Sequence, residues 1–366
     1  MKLPAGIALA LFSAVLFGLS TPAAKLLVGR VDPWLLAGLL YLGAGLGLGL
    51  LTILRGLQGR HRDGEPSGEA PLRRSDLPWL AAVILCGGVA GPLLLMLGLV
   101  QVPASTASLL LNLEGVFSLG IAWIVFRENV DLRIFIGAAA ILCGAGLLSW
   151  PVSAAAPGSS AALGGIGLIA AACLCWAVDN NLTRKLSAAD PLQITLAKGL
   201  VAGSVNLTLA LIHGATLPAL GALLATGLVG LLGYGVSLIC FVLALRHLGA
   251  ARTGAYFSLA PFVGAGAAFL LLGEPMTPLF AGAALLMAIG LYLHLAERHQ
   301  HEHQHEALFH DHRHVHDLHH DHQHGDHQSG DHAGVTPTEP HSHPHWHRPL
   351  IHSHRHFPDL HHRHRH

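Results

Sequence analysis

The residue best placed to do chemistry is a single carboxylate in the middle of an apolar run. Glu114 lies ten residues after Ala104 and twelve before Phe126, in a stretch long enough to cross a bilayer. An ionised carboxylate at that depth costs at least about 2.5 kcal/mol, so it must face the protein interior, find a partner or stay protonated. We predict a proton carrier or a contact for a cationic substrate group. The alternative is a structural, protonated carboxyl that bonds a neighbouring helix.

A second polar group ends the sixth apolar run of the chain, where Asp179, Asn180 and Asn181 follow one another. Three consecutive helical residues cover most of the helix circumference, so at least one of them must face the interior. They lie about one turn from the end of the run. We interpret them as an interfacial helix-end cluster or as a vestibule that contacts substrate, and the sequence leaves both open.

One basic residue, Lys198, lies about two turns inside the following run. Its long side chain can reach the membrane interface, which is the interpretation the sequence favours. It can instead pair with Asp179 or bind an anionic group of a substrate. Tyr256 and Ser258, in the ninth run, are weaker candidates for lining the same site.

The C-terminal tail is rich in histidine, with 25 of the 29 histidines lying between His299 and His366. Alternate residues share a face only in an extended chain, so these runs do not suit a helix. Apolar residues are few, and we predict a disordered tail. Imidazole suits Zn, Ni, Co or Cu(II), and the lack of Cys and Met after residue 298 argues against Cu(I). The candidate ligands are His299, His301, His303, His305, His310, His312, His314, His316, His319, His320, His322 and His324.

The tail also has a plainer interpretation, as a solvated segment that binds metal incidentally or buffers near pH 6–7. No cofactor is required by any feature of the chain, and Zn, Ni or Co on the tail is the one metal association that we expect.

The composition determines what kind of protein must position these groups. Of the 366 residues, 52% are hydrophobic and 11% charged, against roughly 25% charged in an average soluble domain. A helix of about 20 apolar residues crosses a bilayer. The chain therefore predicts an all-α membrane protein with ten transmembrane helices, at about residues 6–28, 33–54, 77–100, 104–126, 132–150, 161–182, 191–212, 217–245, 250–272 and 278–295.

Basic residues in the connections predict the orientation of these helices. With the N-terminus in the cytoplasm, only Lys25 and Arg30 fall outside. The remaining loop arginines and lysines then lie inside, and an even number of spans also returns the tail to the cytoplasm. We predict a multi-pass protein of the inner (plasma) membrane with both termini cytoplasmic.

The two halves of the body repeat. Residues 17–25 read like residues 176–184, and residues 111–117 align with residues 257–263 at an offset of 146. Because each half has five spans, the second copy enters the membrane upside down. Such inverted repeats are typical of secondary transporters, with the substrate site between the halves. We predict a first repeat at 1–152, a second at 161–296 and the tail at 297–366.

These motifs resemble the EamA-type carriers of the drug/metabolite transporter superfamily. The resemblance rests on Phe17-Gly18 with Lys25, Trp176-Ala177 with Arg184, Leu113-Glu114, Ala260-Pro261, and the two glutamates that close the fourth and ninth helices, Glu128 and Glu274. We expect those two glutamates to be helix caps or loop contacts. The chain departs from the pattern in having Gly115 where proline is common, Ala260 opposite Glu114, and the histidine tail. The resemblance implies an exporter or exchanger of small organic solutes, often proton-coupled.

Three functions remain open from the sequence. The favoured one is a carrier of small organic metabolites or drugs, with the tail as accessory. The second is an exporter of divalent metal, although the three histidines of the apolar body, His213, His247 and His294, all fall near helix ends. The third is a non-transporting metal sensor. No catalytic pair or cofactor loop points to an enzyme, and zero net charge argues against nucleic acid. The expected partners are lipid, a small-molecule substrate and divalent metal ions, with a homodimer as one oligomeric alternative.

Overall fold

The computed structural model describes residues 5–58, 74–125, 132–150, 159–183, 191–248 and 250–295, and four short segments of the tail. Its helices are α1 (Ala5–Val28), α2 (Pro33–Gln58), α3 (Leu77–Val83), α4 (Gly91–Gln101), α5 (Ala104–Leu110), α6 (Leu113–Ile124), α7 (Leu132–Leu148), α8 (Ser159–Thr183), α9 (Pro191–Ile212), α10 (Leu220–Gly230), α11 (Ser237–Leu248), α12 (Ala250–Phe257), α13 (Ala260–Leu272) and α14 (Pro278–Leu295). A 3₁₀ turn, Arg74–Asp76, precedes α3.

The body is built from apolar helices, which confirms the predicted all-α membrane fold. Eight helical stretches in the described residues are long and apolar enough to cross a membrane, and two shorter apolar helices, Leu132–Leu148 and Pro278–His294, accompany them. Together they match the ten predicted runs, and we number them spans 1 to 10 in chain order. We call the face that carries the connections 1–2, 3–4, 7–8 and 9–10 the outer face, after the predicted orientation.

Four spans are interrupted, and the interruptions repeat between the halves. A π-helical segment, Ile84–Ala90, joins α3 to α4 within span 3, and a second, Leu231–Val236, joins α10 to α11 within span 8. The second begins 147 residues after the first. Span 4 breaks between α5 and α6, and span 9 breaks 147 residues later between α12 and α13. This spacing lies within one residue of the offset of the sequence repeat.

The breaks in spans 4 and 9 are tightened turns. In span 4 the amides of Leu111 and Asn112 donate to the carbonyls three residues earlier, at 3.2 and 3.1 Å. In span 9 the Leu259 amide donates to the Tyr256 carbonyl at 3.3 Å, and Pro261 has no amide to donate. Bonds of this 3₁₀ type in mid-helix often mark a hinge. The turn in span 4 puts Glu114 in the first turn of α6.

Small residues allow the long helices to approach closely. A side chain on Gly45 of α2 would collide with the Gly199–Leu200 backbone of α9. One on Gly290 of α14 would collide with the Gly137 carbonyl of α7 in the same way. In lipid, packing of this kind takes the place of the hydrophobic drive between helices.

The two halves of spans 4 and 9 pack differently. On the outer side α5 packs along α13, whereas on the inner side α6 packs on α8 and α7, and α12 packs on α1 and α11. No comparable packing joins α6 to α12 among the described residues. The bundle is therefore closed between these spans on the outer side and separated on the inner side.

The described parts of the tail form four strands: β1 (His299–His305), β2 (Leu308–His314), β3 (His341–His347) and β4 (Leu350–His356). β1 pairs antiparallel with β4, and β2 pairs antiparallel with β3. In these segments the structure differs from the predicted disorder. Alternating histidines share one face in an extended chain, and paired extended segments satisfy their backbone groups.

Candidate functional site

The central carboxylate has an amide partner on span 6. Glu114 Oε1 accepts a hydrogen bond from Asn180 Nδ2 at 2.6 Å. Glu114 is partly exposed and Asn180 is exposed, and no neighbouring atom lies within 4 Å of the position that a side chain on Gly115 would take. The pair therefore borders open space beside the first turn of α6.

An ion pair lies one residue away on the same helix. Asp179 Oδ2 pairs with Lys198 Nζ of α9, and the two side chains are 5% and 19% exposed. Thr183 Oγ1 also donates to Asp179 Oδ1 at 3.3 Å. The favoured interpretation of Lys198, an ammonium that reaches the membrane interface, is therefore wrong. The partner of the ammonium is instead a buried carboxylate on α8, and this pairing is one of the alternatives that the sequence leaves open.

The π-helical segment of span 3 packs against Asp179. In a π-helix the backbone hydrogen bonds join residues five apart instead of four, and side chains from three spans donate to the backbone carbonyls of this segment. Tyr41 Oη and Trp176 Nε1 donate to the Gly87 carbonyl at 2.8 and 3.1 Å. Asn206 Nδ2 lies 3.3 Å from the carbonyls of Gly88 and Val89. A side chain on Gly87 would occupy the space of the Asp179 carboxylate, so glycine is required for this approach.

A row of aromatic rings extends from the polar groups across spans 2, 8, 1 and 9. The Tyr41 and Tyr234 ring centroids are 5.5 Å apart, and Phe17 lies 5.9 Å from Tyr234 and 5.3 Å from Phe257. Tyr234 belongs to the π-helical segment of span 8. The row therefore connects the two π-helical segments, one from each repeat, through contacts between Tyr41 and Tyr234.

Not every predicted site residue joins this cluster. Asn181 is buried and donates to the Ala177 carbonyl of its own helix at 2.8 Å. Ser258 Oγ likewise donates to the Ala255 carbonyl, at 2.8 Å. The part of the chain that the structure describes gives neither Tyr256 nor Ser258 a hydrogen bond to Glu114, Asp179 or Lys198. Both residues instead lie at the break of span 9.

Sequence reasoning missed Tyr41, Trp176 and Asn206 as partners of the site. Each is an ordinary residue of an apolar run, and its role depends on the π-helical segment opposite. Of the predicted histidine ligands, His299, His301, His303 and His305 belong to β1 and His310, His312 and His314 to β2. His316, His319, His320, His322 and His324 lie outside the described residues. Across the described residues no group of three or more His, Cys, Asp or Glu side chains could hold a metal ion.

Comparison with known proteins identifies the fold. The model of the EamA-like transporter family matches residues 4–150 and again residues 163–296. The chain belongs to the EamA-like transporter family. It is therefore a multi-pass membrane transporter that moves a small molecule, and it is not an enzyme.

Three relatives of this EamA-like transporter are named as a transporter, an exporter and an efflux pump. A protein of Methanothermobacter thermautotrophicus named as a transporter is 32% identical, over 77% of this chain and 83% of the relative. A probable terminal-alkyne amino-acid exporter of Streptantibioticus cattleyicolor is 30% identical, over 60% and 74%. A probable amino-acid metabolite efflux pump of Salmonella typhimurium is 29% identical, over 53% and 68%.

A crystal structure shares the fold of this EamA-like transporter at 17% sequence identity. It aligns with a TM-score of 0.56 and covers 80% of this chain and 96% of the other. The agreement extends to the fold alone, and the chemistry of the site is argued from this chain's own residues.

Proposed function

We propose that this transporter exports small zwitterionic metabolites of the amino-acid type, and that Glu114 couples export to proton movement. The observation that carries the proposal is a partly exposed carboxylate in the middle of span 4, held by Asn180 beside a buried ion pair. The names of two relatives, an amino-acid exporter and an amino-acid metabolite efflux pump, support the substrate class.

The charges around the site suit such a substrate. Lys198 and Asp179 neutralise one another, which leaves the carboxylate of Glu114 as the unpaired ionisable group of the cluster. A substrate ammonium and a proton then compete for Glu114, and exchange of one for the other as access alternates couples the two movements. Lys198, the more exposed member of its pair, is the contact that we propose for a substrate carboxylate. Asn180 orients Glu114 and the aromatic row binds the apolar part of the substrate.

Replacing Glu114 by glutamine tests the proposal. Glu114→Gln keeps an oxygen that can accept from Asn180 Nδ2 and removes the titrating group. In proteoliposomes with an imposed pH gradient and a panel of labelled L-amino acids, we expect gradient-driven transport to be lost while expression and folding are retained.

The matched control is Asp32→Asn, which makes the same chemical change at a carboxylate that caps α2 at the outer face, through the amides of Trp34 and Leu35. It should transport like the wild type. Gradient-driven transport by Glu114→Gln with an unchanged pH profile would exclude the coupling role. Transport of none of the amino acids by the wild type would exclude the substrate class.

We also propose the orientation that the basic loops favour, in the inner membrane with both termini in the cytoplasm. This places the separated side of spans 4 and 9 toward the cytoplasm. The direction suits an exporter, because substrate then reaches Glu114 from the cell interior in the conformation described here.

The histidine tail supports a second proposal, in which it binds Ni, Zn or Co and acts on the transporter from the cytoplasm. Export of the metal itself is less well supported, because the described residues of the body lack a cluster of metal ligands. Cellular Ni, Co and Zn content, compared with and without the gene, separates metal export from export of organic solutes. A sensor without transport activity would change neither metals nor metabolites.

A further inference from the structure

A glutamate after span 9 joins the two repeats at the outer face. Glu274 Oε1 accepts from the Ala104 amide at 2.7 Å, and its Oε2 accepts from the Ser105 amide at 2.9 Å. These are the first amides of α5, the outer half of span 4. Of the two roles that the sequence leaves open for Glu274, a helix cap or a loop contact, the structure shows a cap, but the helix it caps belongs to the other repeat.

A lysine holds the other side of the same turn. Lys25 of α1 donates to the Leu99 carbonyl and, at 2.7 Å, to the Val102 carbonyl, at the end of α4. An anion at the start of one helix and a cation at the end of the preceding helix both interact favourably with the helix dipoles. The turn between spans 3 and 4 is therefore fixed from span 1 on one side and from span 9 on the other.

This contact lies where the bundle is closed. Glu274 follows α13, which packs on α5 on the outer side, while the inner halves of spans 4 and 9 are separated. A transporter that alternates access must reverse this arrangement, and the end of span 9 must then leave the start of span 4. The two hydrogen bonds to Glu274 cannot persist in that state, because they join these two helix ends directly.

We propose that Glu274 is a gating residue: its bonds to the amides of Ala104 and Ser105 hold the outer gate closed and so set the balance between the inward-open and outward-open states. The carboxylate does not touch the substrate. It acts through the position of α5 relative to α13, and its role is independent of whether Glu114 couples transport to protons.

Cysteine accessibility measures the state of this gate. Ser108 of α5 is 1% exposed, and its hydroxyl, which has no hydrogen-bond partner in the described structure, lies 2.7 Å from the position of a side chain on Gly264 of α13. Ser108→Cys therefore places a thiol in the closed interface. The background carries alanine at the native cysteines, Cys86, Cys143, Cys173, Cys175 and Cys240.

In this background we expect Glu274→Ala to increase the rate at which a membrane-impermeant maleimide, added from outside the cell, labels position 108. Loss of two hydrogen bonds to a charged group should raise the rate by about tenfold or more. Glu274→Gln retains one acceptor oxygen, so its labelling rate should be intermediate, and it serves as the test if the alanine variant does not fold. Exchange of labelled L-alanine across proteoliposomes should slow in both variants.

The chain offers a matched control on the same face. Asp32 Oδ1 accepts from the Trp34 and Leu35 amides at 2.9 and 3.2 Å, so Asp32→Ala also removes a carboxylate cap, but within one repeat. It should leave labelling at position 108 unchanged. Equal labelling of the Asp32→Ala and Glu274→Ala variants would reduce Glu274 to a structural cap and overturn the gating proposal. So would labelling of Glu274→Ala at the wild-type rate.

Discussion

At the scale of single residues, the site depends on two opposite charges, Asp179 and Lys198, that are buried together. Asp179 is 5% exposed and has Lys198 as its ionic partner, and Thr183 and the backbone of Gly87 surround it. Removing one member of a buried pair leaves the other charge unpaired, whereas removing both leaves two neutral groups. Removing either charge alone should therefore destabilise the protein more than removing both charges together.

We expect Lys198→Met to destabilise the protein by about 3 kcal/mol, because the Asp179 carboxylate is then buried without its cation. Adding Asp179→Asn should restore most of the lost stability, since the double variant buries no net charge. Thermal unfolding in detergent is monitored by the loss of the monodisperse peak in size-exclusion chromatography. It is measured on the wild type, the two single variants and the double variant. Additive effects of the two substitutions would mean that the charges do not interact in the folded protein.

At the scale of elements, the π-helical segment of span 3 brings spans 3, 6 and 7 together. Gly88 lies against α9, where an added side chain would be 2.6 Å from Ala202 Cβ. Asn206, one turn later on α9, binds the carbonyls of the same segment. Because the π-helical segment and α9 are both closely packed and hydrogen-bonded here, they have little room to move apart.

Gly88→Ala should therefore destabilise the protein by about 1–3 kcal/mol through overpacking and reduce transport, because spans 3 and 7 must separate. Gly49→Ala is the control on the same partner helix, since its added methyl would meet only Leu196 Cδ2 at 3.7 Å. Melting temperature and transport rate are measured on both. A Gly88→Ala protein as stable and as active as the control would mean that the contact with Ala202 relaxes freely.

The sequence predicts the spans well and the interruptions poorly, for one physical reason. An apolar run of about 20 residues determines that a helix crosses the bilayer, but π-helical and 3₁₀ turns keep the same apolar residues and nearly the same backbone angles. The position of Glu114 within a long apolar span could therefore be predicted, while its partner Asn180 could not, because run length does not determine which way a residue faces. The same gap explains the wrong interpretation of Lys198.

At the scale of the whole molecule, the two repeats share interruptions but differ in chemistry. The break in span 4 carries Glu114, and the equivalent break in span 9 carries Ala260. Gly18 of α1 packs so closely there that a side chain would meet the Ala260 carbonyl. Ala260 itself is 1% exposed. Among the described residues, one repeat therefore has a partly exposed carboxylate at this position, and the other has a buried alanine.

The histidine tail is a further feature of the whole molecule, and removing it separates its role from that of the body. Deleting residues 299–366 should abolish high-capacity Ni and Zn binding, because 25 of the 29 histidines are lost, and should leave the spans folded. Equilibrium dialysis with metal analysis measures the binding. In the intact chain, binding should fall as the pH drops below about 6.5, since imidazole binds metal only when it is neutral.

A second variant, with every tail histidine replaced by glutamine, keeps the length and polarity of the tail and should bind as little metal as the deletion. Transport of labelled L-alanine, with and without added Ni, then decides whether the binding matters. If metal changes transport in the intact chain but in neither variant, the tail regulates the transporter. Transport with the same metal dependence in all three proteins would leave metal binding incidental, because the body would then respond to metal without the histidines.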